Sequence, residues 1–339
     1  MIDLLPWHRA PLAELIDRGE RLPHAMLIHG RSGVGKVAFA RALAQSLLCE
    51  SPEQGMACGQ CHACGWFAKG NHPDFRELLP EAMVDEEGSD QPPTDADGKD
   101  KKKSREIRID QIRGIADLMT LSTHRNGYRV LLIHPAEAMN LAAANALLKT
   151  LEEPPARSVI LLVSDKVGRL LATVRSRCQK VWVPTPAPEV ALAWLKSQGI
   201  ANADEALTAA GGAPLAVIEY AHADYQSARR GFVAALAESK MDYALTAQNF
   251  EKAELTNVLT WLQTWVNDVI SARMVGIICH HRDHAKAISR VASQIDLAKL
   301  FRYESELRQS RRLINHPLNA RLLLEQLLIG YKQAIRPAH

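Results

Sequence analysis

The chain has 339 residues, 47% of them hydrophobic and 23% charged, the composition of an ordinary soluble globular protein too long for one small domain. A net charge of only +3 does not imply nucleic-acid binding, and 5% aromatics are too sparse for a stacking platform along single-stranded DNA, so any DNA contact would be shared with other chains. The first residues, MIDLLPWHRAPL, lack a basic region followed by an apolar run, and stretches such as Val130–Ile133 are too short to span a bilayer; the expectation is a cytoplasmic protein with no membrane partner.

Ala25–His29 (AMLIH) is an apolar run ending at glycine and predicts a strand, while Val37–Leu48 has apolar residues at helical spacing. Between them stands Gly30-Arg-Ser-Gly33-Val-Gly35-Lys36. Strand, G-x-x-x-x-G-K and helix in that order form a phosphate loop. Gly30, Gly33 and Gly35 let backbone N–H groups wrap phosphate oxygens, Lys36 reaches the outer phosphates, and the helix N-terminus favours the anion. A working loop continues with Ser or Thr, whose hydroxyl binds Mg²⁺. Here the residue is Val37, and a methyl group does not coordinate a hard cation.

Cys49, Cys58, Cys61 and Cys64 follow with the spacing C-x8-C-x2-C-x2-C. In a cytosolic chain such a cluster argues for metal over disulfides. Four thiolates suit a closed tetrahedral Zn²⁺ site, structural because no ligand position stays open; a [4Fe–4S] cluster and free thiols remain as alternatives. His62 reads as a surface residue, and Cys178 and Cys279 stand alone. From Pro80 to Arg105 the chain is charged, rich in Pro, Gly and Asp, and holds too little apolar surface to offset its ordering entropy. A mobile surface loop is expected there; a second reading makes Lys99 and Lys101–Lys103 a nucleic-acid contact.

Ile109, Ile112, Ile115 and Met119 predict a helix over 110–121. Arg129–His134, Val159–Ser164 and Gln179–Val183 are further short apolar runs, and with helices between them they read as a buried parallel sheet. An active site of this type places an acidic pair after the RVLLI strand, for the metal sphere and the attacking water. Here those positions are His134 and Pro135, so ATP hydrolysis is not expected, and ATP binding through Gly30, Gly33, Gly35 and Lys36 is weak or absent. Leu141–Leu151 predicts a helix stopped by Pro154–Pro155, with Leu147, Leu148 and Leu151 on its core side and Asn145, Lys149 and Glu152 on other faces. Pro184, Pro186 and Pro188 mark a boundary, after which the periodicity is helical throughout, broken near Gly211–Pro214 and again near His222–Gln226. Trp261, Leu262, Trp265, Val266, Val269 and Ile270 form one apolar face; Leu322, Leu323, Leu327 and Leu328 form another.

His24–Gly30 (HAMLIHG), the four-cysteine insertion, Asn71–Phe75 (NHPDF), Asn145–Pro155 (NALLKTLEEPP) and Arg169–Cys178 (RLLATVRSRC) resemble the delta-prime subunits of the bacterial DNA polymerase III clamp loader, AAA+ family proteins, over the whole chain. The loader's motor subunit (gamma/tau) shares much of this pattern, and an active motor is the rival reading. Val37, His134 and Pro135 point away from it. A stand-alone zinc-dependent DNA-binding module is a second rival, disfavoured by the small charge.

The resemblance implies an α/β fold: an AAA+ P-loop domain with a parallel sheet over 1–184, carrying the zinc module at 49–64 and the loop at 80–105. A helical lid domain over 185–222 and a C-terminal all-α collar domain over 223–339 for oligomerisation follow. It implies that Arg177, in Ser176-Arg177-Cys178, projects into the ATP site of a neighbouring motor subunit; taken alone, Arg177 reads as a surface guanidinium paired with a carboxylate. Arg175 is a weaker neighbouring candidate. Ser164 falls at the family's polar sensor position, Gly211–Leu215 lacks the basic residue active members carry in the lid, and Lys149 is a candidate phosphate contact. The implied partners are the motor subunits, the clamp-opening delta subunit and, through the assembly, the sliding clamp and primed DNA. Trp261 and Trp265 serve either subunit packing or the internal core.

Overall fold

The structure is a computed structural model that describes residues 4–84, 103–120, 127–238, 241–311 and 319–336. Most of the charged segment, with Lys99, Lys101 and Lys102, lies outside the described residues, as do Leu121 and the side chain of Met119. The chain divides into two compact units, 1–217 and 218–339.

The first unit is built on five strands, β1 (Ala25–His29), β2 (Phe75–Leu78), β3 (Arg129–Ile133), β4 (Ser158–Ser164) and β5 (Gln179–Trp182), in the order β2-β3-β4-β1-β5. Every neighbouring pair is parallel. Parallel pairing demands long crossovers, and helices supply them. α1 (Arg9–Ile16) precedes β1, and the crossovers are α2 (Lys36–Leu48), α3 (His62–Ala68), α4 (Ile109–Thr120), α5 (Leu141–Glu152) and α6 (Ala172–Arg177). α7 (Pro188–Ser197), α8 (Ala203–Ala209) and α9 (Pro214–Ala221) follow, and the division between units falls within α9.

β3 and β4 are buried at every position, as a sheet covered on both faces requires. Alternation sorts their side chains. Leu27, Leu131, Ile133, Ile160 and Leu162 pack with Leu147 and Leu151 of α5 and Val174 of α6. Met26, Ile28, Val130, Leu132 and Leu161 pack with Phe39 and Leu43 of α2 and Phe67 of α3. β2 is not among the apolar runs of the sequence: its charged Arg76 and Glu77 are tolerated because it lies at the sheet edge.

The second unit is helical: α10 (Ala223–Ala237), α11 (Tyr243–Phe250), α12 (Leu255–Val275), α13 (Ala285–Gln294), α14 (Leu297–Ser310) and α15 (Ala320–Ala334). Both tryptophans of α12 are internal core. Trp265 Nε1 donates to Tyr331 Oη and Trp261 Nε1 to Tyr225 Oη, each at 2.7 Å, so each buried indole N–H is satisfied. The apolar stripe of α15 is Leu323, Leu324, Leu327, Leu328 and Tyr331; Leu322, assigned to it from the sequence, is 62% exposed because the helical period carries it off that face. Asp268, buried on α12, ties down the chain reversal that follows. Its carboxylate accepts from the N–H groups of Cys279, His280 and His281 at 3.0, 3.0 and 2.8 Å and contacts His281 Nδ1 at 3.1 Å. Those bonds hold Asp268 below the usual carboxylate range although burial pushes it up.

Candidate functional site

The phosphate loop sits where the sequence places it, between the C-terminal end of β1 and the first turn of α2. Gly33 and Gly35 both have positive φ, 79° and 88°. Their missing side chains make room for protein atoms. A Cβ on Gly33 would lie 2.9 Å from Ala216 Cβ, and one on Gly35 would lie 2.5 Å from Leu5 Cδ1 and 2.9 Å from His8 Cε1. Leu215 N donates to Gly33 O at 3.0 Å, and Trp7 Nε1 and His8 Nε2 both contact Val34 O at 2.9 Å. Lys36 is buried; its Nζ donates to Arg31 O at 2.7 Å and pairs with the Asp165 carboxylate. The Arg31 guanidinium packs against Gly211, so the basic group beside that stretch comes from the phosphate loop itself. Apart from Lys36 to Arg31, these contacts are not visible as a motif, because each joins residues far apart in sequence.

At the metal positions, Val37 is partly buried against the core. His134 follows β3, and its Nε2 lies 2.6 Å from Glu77 Oε1 on β2. Arg41 of α2 reaches the same oxygen through Nε at 2.9 Å and Nη2 at 2.8 Å. Burial pushes Glu77 up, but these two partners outweigh it and hold the carboxyl below its ordinary value. The Glu77 carboxylate is thus bound by a guanidinium and an imidazole. Ser164 ends β4, and its Oγ accepts from Lys166 N at 3.1 Å, a turn-forming bond.

The four cysteines converge. Their sulfurs all lie within 4.8 Å of one another, the single group of three or more metal-ligating side chains so placed among the described residues. Cys49 Sγ is 3.5 Å from Cys58 Sγ and 3.8 Å from Cys61 Sγ. A tetrahedron with Zn–S near ~2.3 Å has edges of about 3.8 Å, so the residues fit that ion. Backbone N–H groups already point at the sulfurs: Cys58 N at Cys49 Sγ, Cys61 N at Cys58 Sγ, and Cys64 N at Cys61 Sγ, at 3.3, 3.4 and 3.4 Å. Such bonds favour thiolate. Against burial, they bring Cys61 down to about 7, and the Gln60 and Cys61 N–H groups lower Cys58. Burial raises Cys49, and Cys64 to about 12. His62 is exposed and outside the cluster.

Arg177 closes α6 just before β5, at the end of the strands opposite the phosphate loop. Val174 and Cys178 are buried in the core, which turns Arg177 outward. Burial drives the Cys178 thiol up to about 11, that of an inert core residue. Arg177 Nη1 donates to Thr173 O at 3.1 Å, and Nη2 lies 2.5 Å from Glu152 Oε1, so the carboxylate pairing is present. Arg175 is half-buried, and its Nε has no partner. Because β5 runs parallel to β1, with Met26 opposite Gln179 and His29 opposite Trp182, Arg177 stands before the strands and Lys36 beyond them. A strand's length, at about 3.3 Å per residue, separates the two.

A parallel sheet of order β2-β3-β4-β1-β5, a phosphate loop after β1 and a helical C-terminal unit define an α/β fold of the AAA+ type. The comparisons narrow this. The family described as DNA polymerase III, delta subunit, matches residues 12–187, and that described as DNA polymerase III, delta subunit, C terminal, matches 223–333. DNA polymerase III subunit delta' of Pseudomonas aeruginosa is 31% identical over 98% of both chains, and that of Escherichia coli 29% identical over 98% of this chain and 96% of its own. DNA polymerase III subunit gamma of Buchnera aphidicola is 32% identical over 47% of this chain and 37% of its own. The chain belongs to the DNA polymerase III delta' family, components of the clamp loader. Among the described residues no helix is long and apolar enough to cross a membrane.

Proposed function

We propose that this chain is the non-catalytic, stationary member of the clamp loader and contributes Arg177 in trans to the ATP site of a neighbouring motor subunit. The observation that carries this reading is position. Arg177 is exposed at the end of the strands opposite the chain's own phosphate loop, out of reach of Lys36, which supports service to a neighbour. A planar, permanently charged guanidinium stabilises charge spread over a phosphoryl group in transfer and is worth ~10³-fold or more in rate.

The chain's own site is degenerate in this reading. Val37 and His134 supply neither the hydroxyl nor the carboxylate of a metal sphere, and Lys36 is held by Asp165. The four cysteines hold a structural Zn²⁺ that cross-links the 49–64 module and does no chemistry. Segments 1–184, 185–222 and 223–339 act as ATPase-like, lid and collar domains, and the partners are the motor subunits, the clamp-opening delta subunit, the sliding clamp and primed DNA.

Turnover of ATP by the purified chain tests the degenerate site. The expected result is none, unchanged by Lys36→Ala. Robust turnover that Lys36→Ala abolishes would make the chain a motor.

A further inference from the structure

Two motifs that are distant in sequence meet at Arg177. Glu152, the last residue of α5 in NALLKTLEEPP, places Oε1 2.5 Å from Arg177 Nη2 in RLLATVRSRC. A third joins them: His24, which opens HAMLIHG, contacts the carbonyl of Leu151 through Nε2 at 3.1 Å, and its own carbonyl accepts from Ile160 N at 2.7 Å. The C-terminal end of α5 is therefore fixed to the start of β4. Leu147 and Leu151 bury its inner face, and Glu152 is left pointing at α6. On the other side Val174 and Cys178 fix α6, and Thr173 O holds Arg177 Nη1.

An isolated surface ion pair contributes little to stability, because water screens both charges and two long side chains must be ordered. Arg177 is 37% and Glu152 49% exposed, so stability alone gives Glu152 little to do. A different consequence follows where Arg177 meets a phosphate. That phosphate needs the guanidinium edge Glu152 already holds, and two anions on one edge repel.

We propose that Glu152 is a latch on Arg177. It neutralises and parks the guanidinium until a neighbour presents a phosphate, then competes with that phosphate and must yield. Glu152 is a positioning residue; it touches no substrate. The inference rests on the reading of Arg177 as a trans-acting group, and it gives the glutamate of the α5 motif a role that packing does not.

The test uses the loader reconstituted from motor subunits, the clamp-opening subunit and this chain, with ATP turnover measured with and without clamp and primed DNA. Glu152→Ala and Glu152→Gln remove the charge at an exposed position and leave the α5 core untouched. Turnover without DNA is expected to rise about two- to fivefold, the range set by a surface ion pair, with the stimulation by DNA falling by the same factor. The rise is expected to vanish when Arg177→Ala is present, because the latch then holds nothing. Unchanged or lower DNA-free turnover in the Glu152 variants, or an equal rise in the Arg177→Ala background, would overturn the latch. Normal DNA-stimulated turnover with Arg177→Ala alone is a separate result: it removes the finger reading and the latch with it.

Discussion

The Val34 carbonyl shows how the N-terminal turn bears on the phosphate loop. It is met by Trp7 Nε1 and His8 Nε2, and the His8 ring stacks edge-on to Phe39 with centroids 5.4 Å apart. His8 Nδ1 is buried without a partner, so a proton there would be stranded. Burial accordingly lowers His8 from 6.5 to about 4, against the pull of its bond to Val34. Between these two values the unfolded chain binds a proton that the folded one does not. Stability contributed by neutral His8 is therefore lost as pH falls through that window, about 2 kcal/mol between pH 7 and pH 5. Urea unfolding of the N-terminal unit should show this loss in the native chain and not in His8→Gln. Equal slopes in both would mean that His8 is not buried in neutral form. Residue identities were legible at this scale and their contacts were not. G-x-x-x-x-G-K announces Lys36 as a phosphate ligand, yet nothing in that pattern announces Asp165, which reaches it only through the register of β4 beside β1. The same holds for His134, whose partner Glu77 lies on an edge strand with no hydrophobic signature.

At the scale of elements, the cysteine module is the clearest case of spacing dictating structure. Cys61 caps α3, its sulfur accepting from Cys64 N, and that turn carries Cys64 back toward Cys58 and Cys49. A tetrahedral ion would join the end of α2 to the start of α3 in a stretch with little apolar core of its own. The purified chain is expected to contain one zinc per molecule by metal analysis. Cys58→Ser or Cys61→Ser should release it and lower the melting temperature, as should prolonged chelation. Iron with visible absorption would select the cluster alternative, and a metal-free chain of unchanged stability would select free thiols. Helices and central strands were readable because burial on one or both faces writes a period into the sequence. β2 and α1 escaped because an edge strand and an eight-residue helix carry too few buried positions to write one. The α15 face erred at Leu322 alone, where consecutive leucines blur the helical period.

For the whole molecule, the parallel connectivity decides what each end of the sheet can do. All five strands point the same way, so the phosphate loop after β1 and Arg177 before β5 stand at opposite ends of the strands. Within one chain Arg177 and Lys36 are held apart by the length of the strands between them. The chain divides into a sheet-bearing unit and a helical unit. The division falls at 217/218, near the second break in periodicity at His222–Gln226, and α7 and α8 lie in the unit that holds the sheet.

The direct measurement of the central claim is DNA-stimulated ATP turnover by the loader assembled in parallel with this chain as Arg177→Ala and as Lys36→Ala. Arg177→Ala is predicted to lower turnover at least tenfold in an intact complex, with Lys36→Ala leaving it near normal. The reverse, normal turnover with Arg177→Ala and a collapse with Lys36→Ala, would contradict the account and make this chain's own phosphate loop the working site.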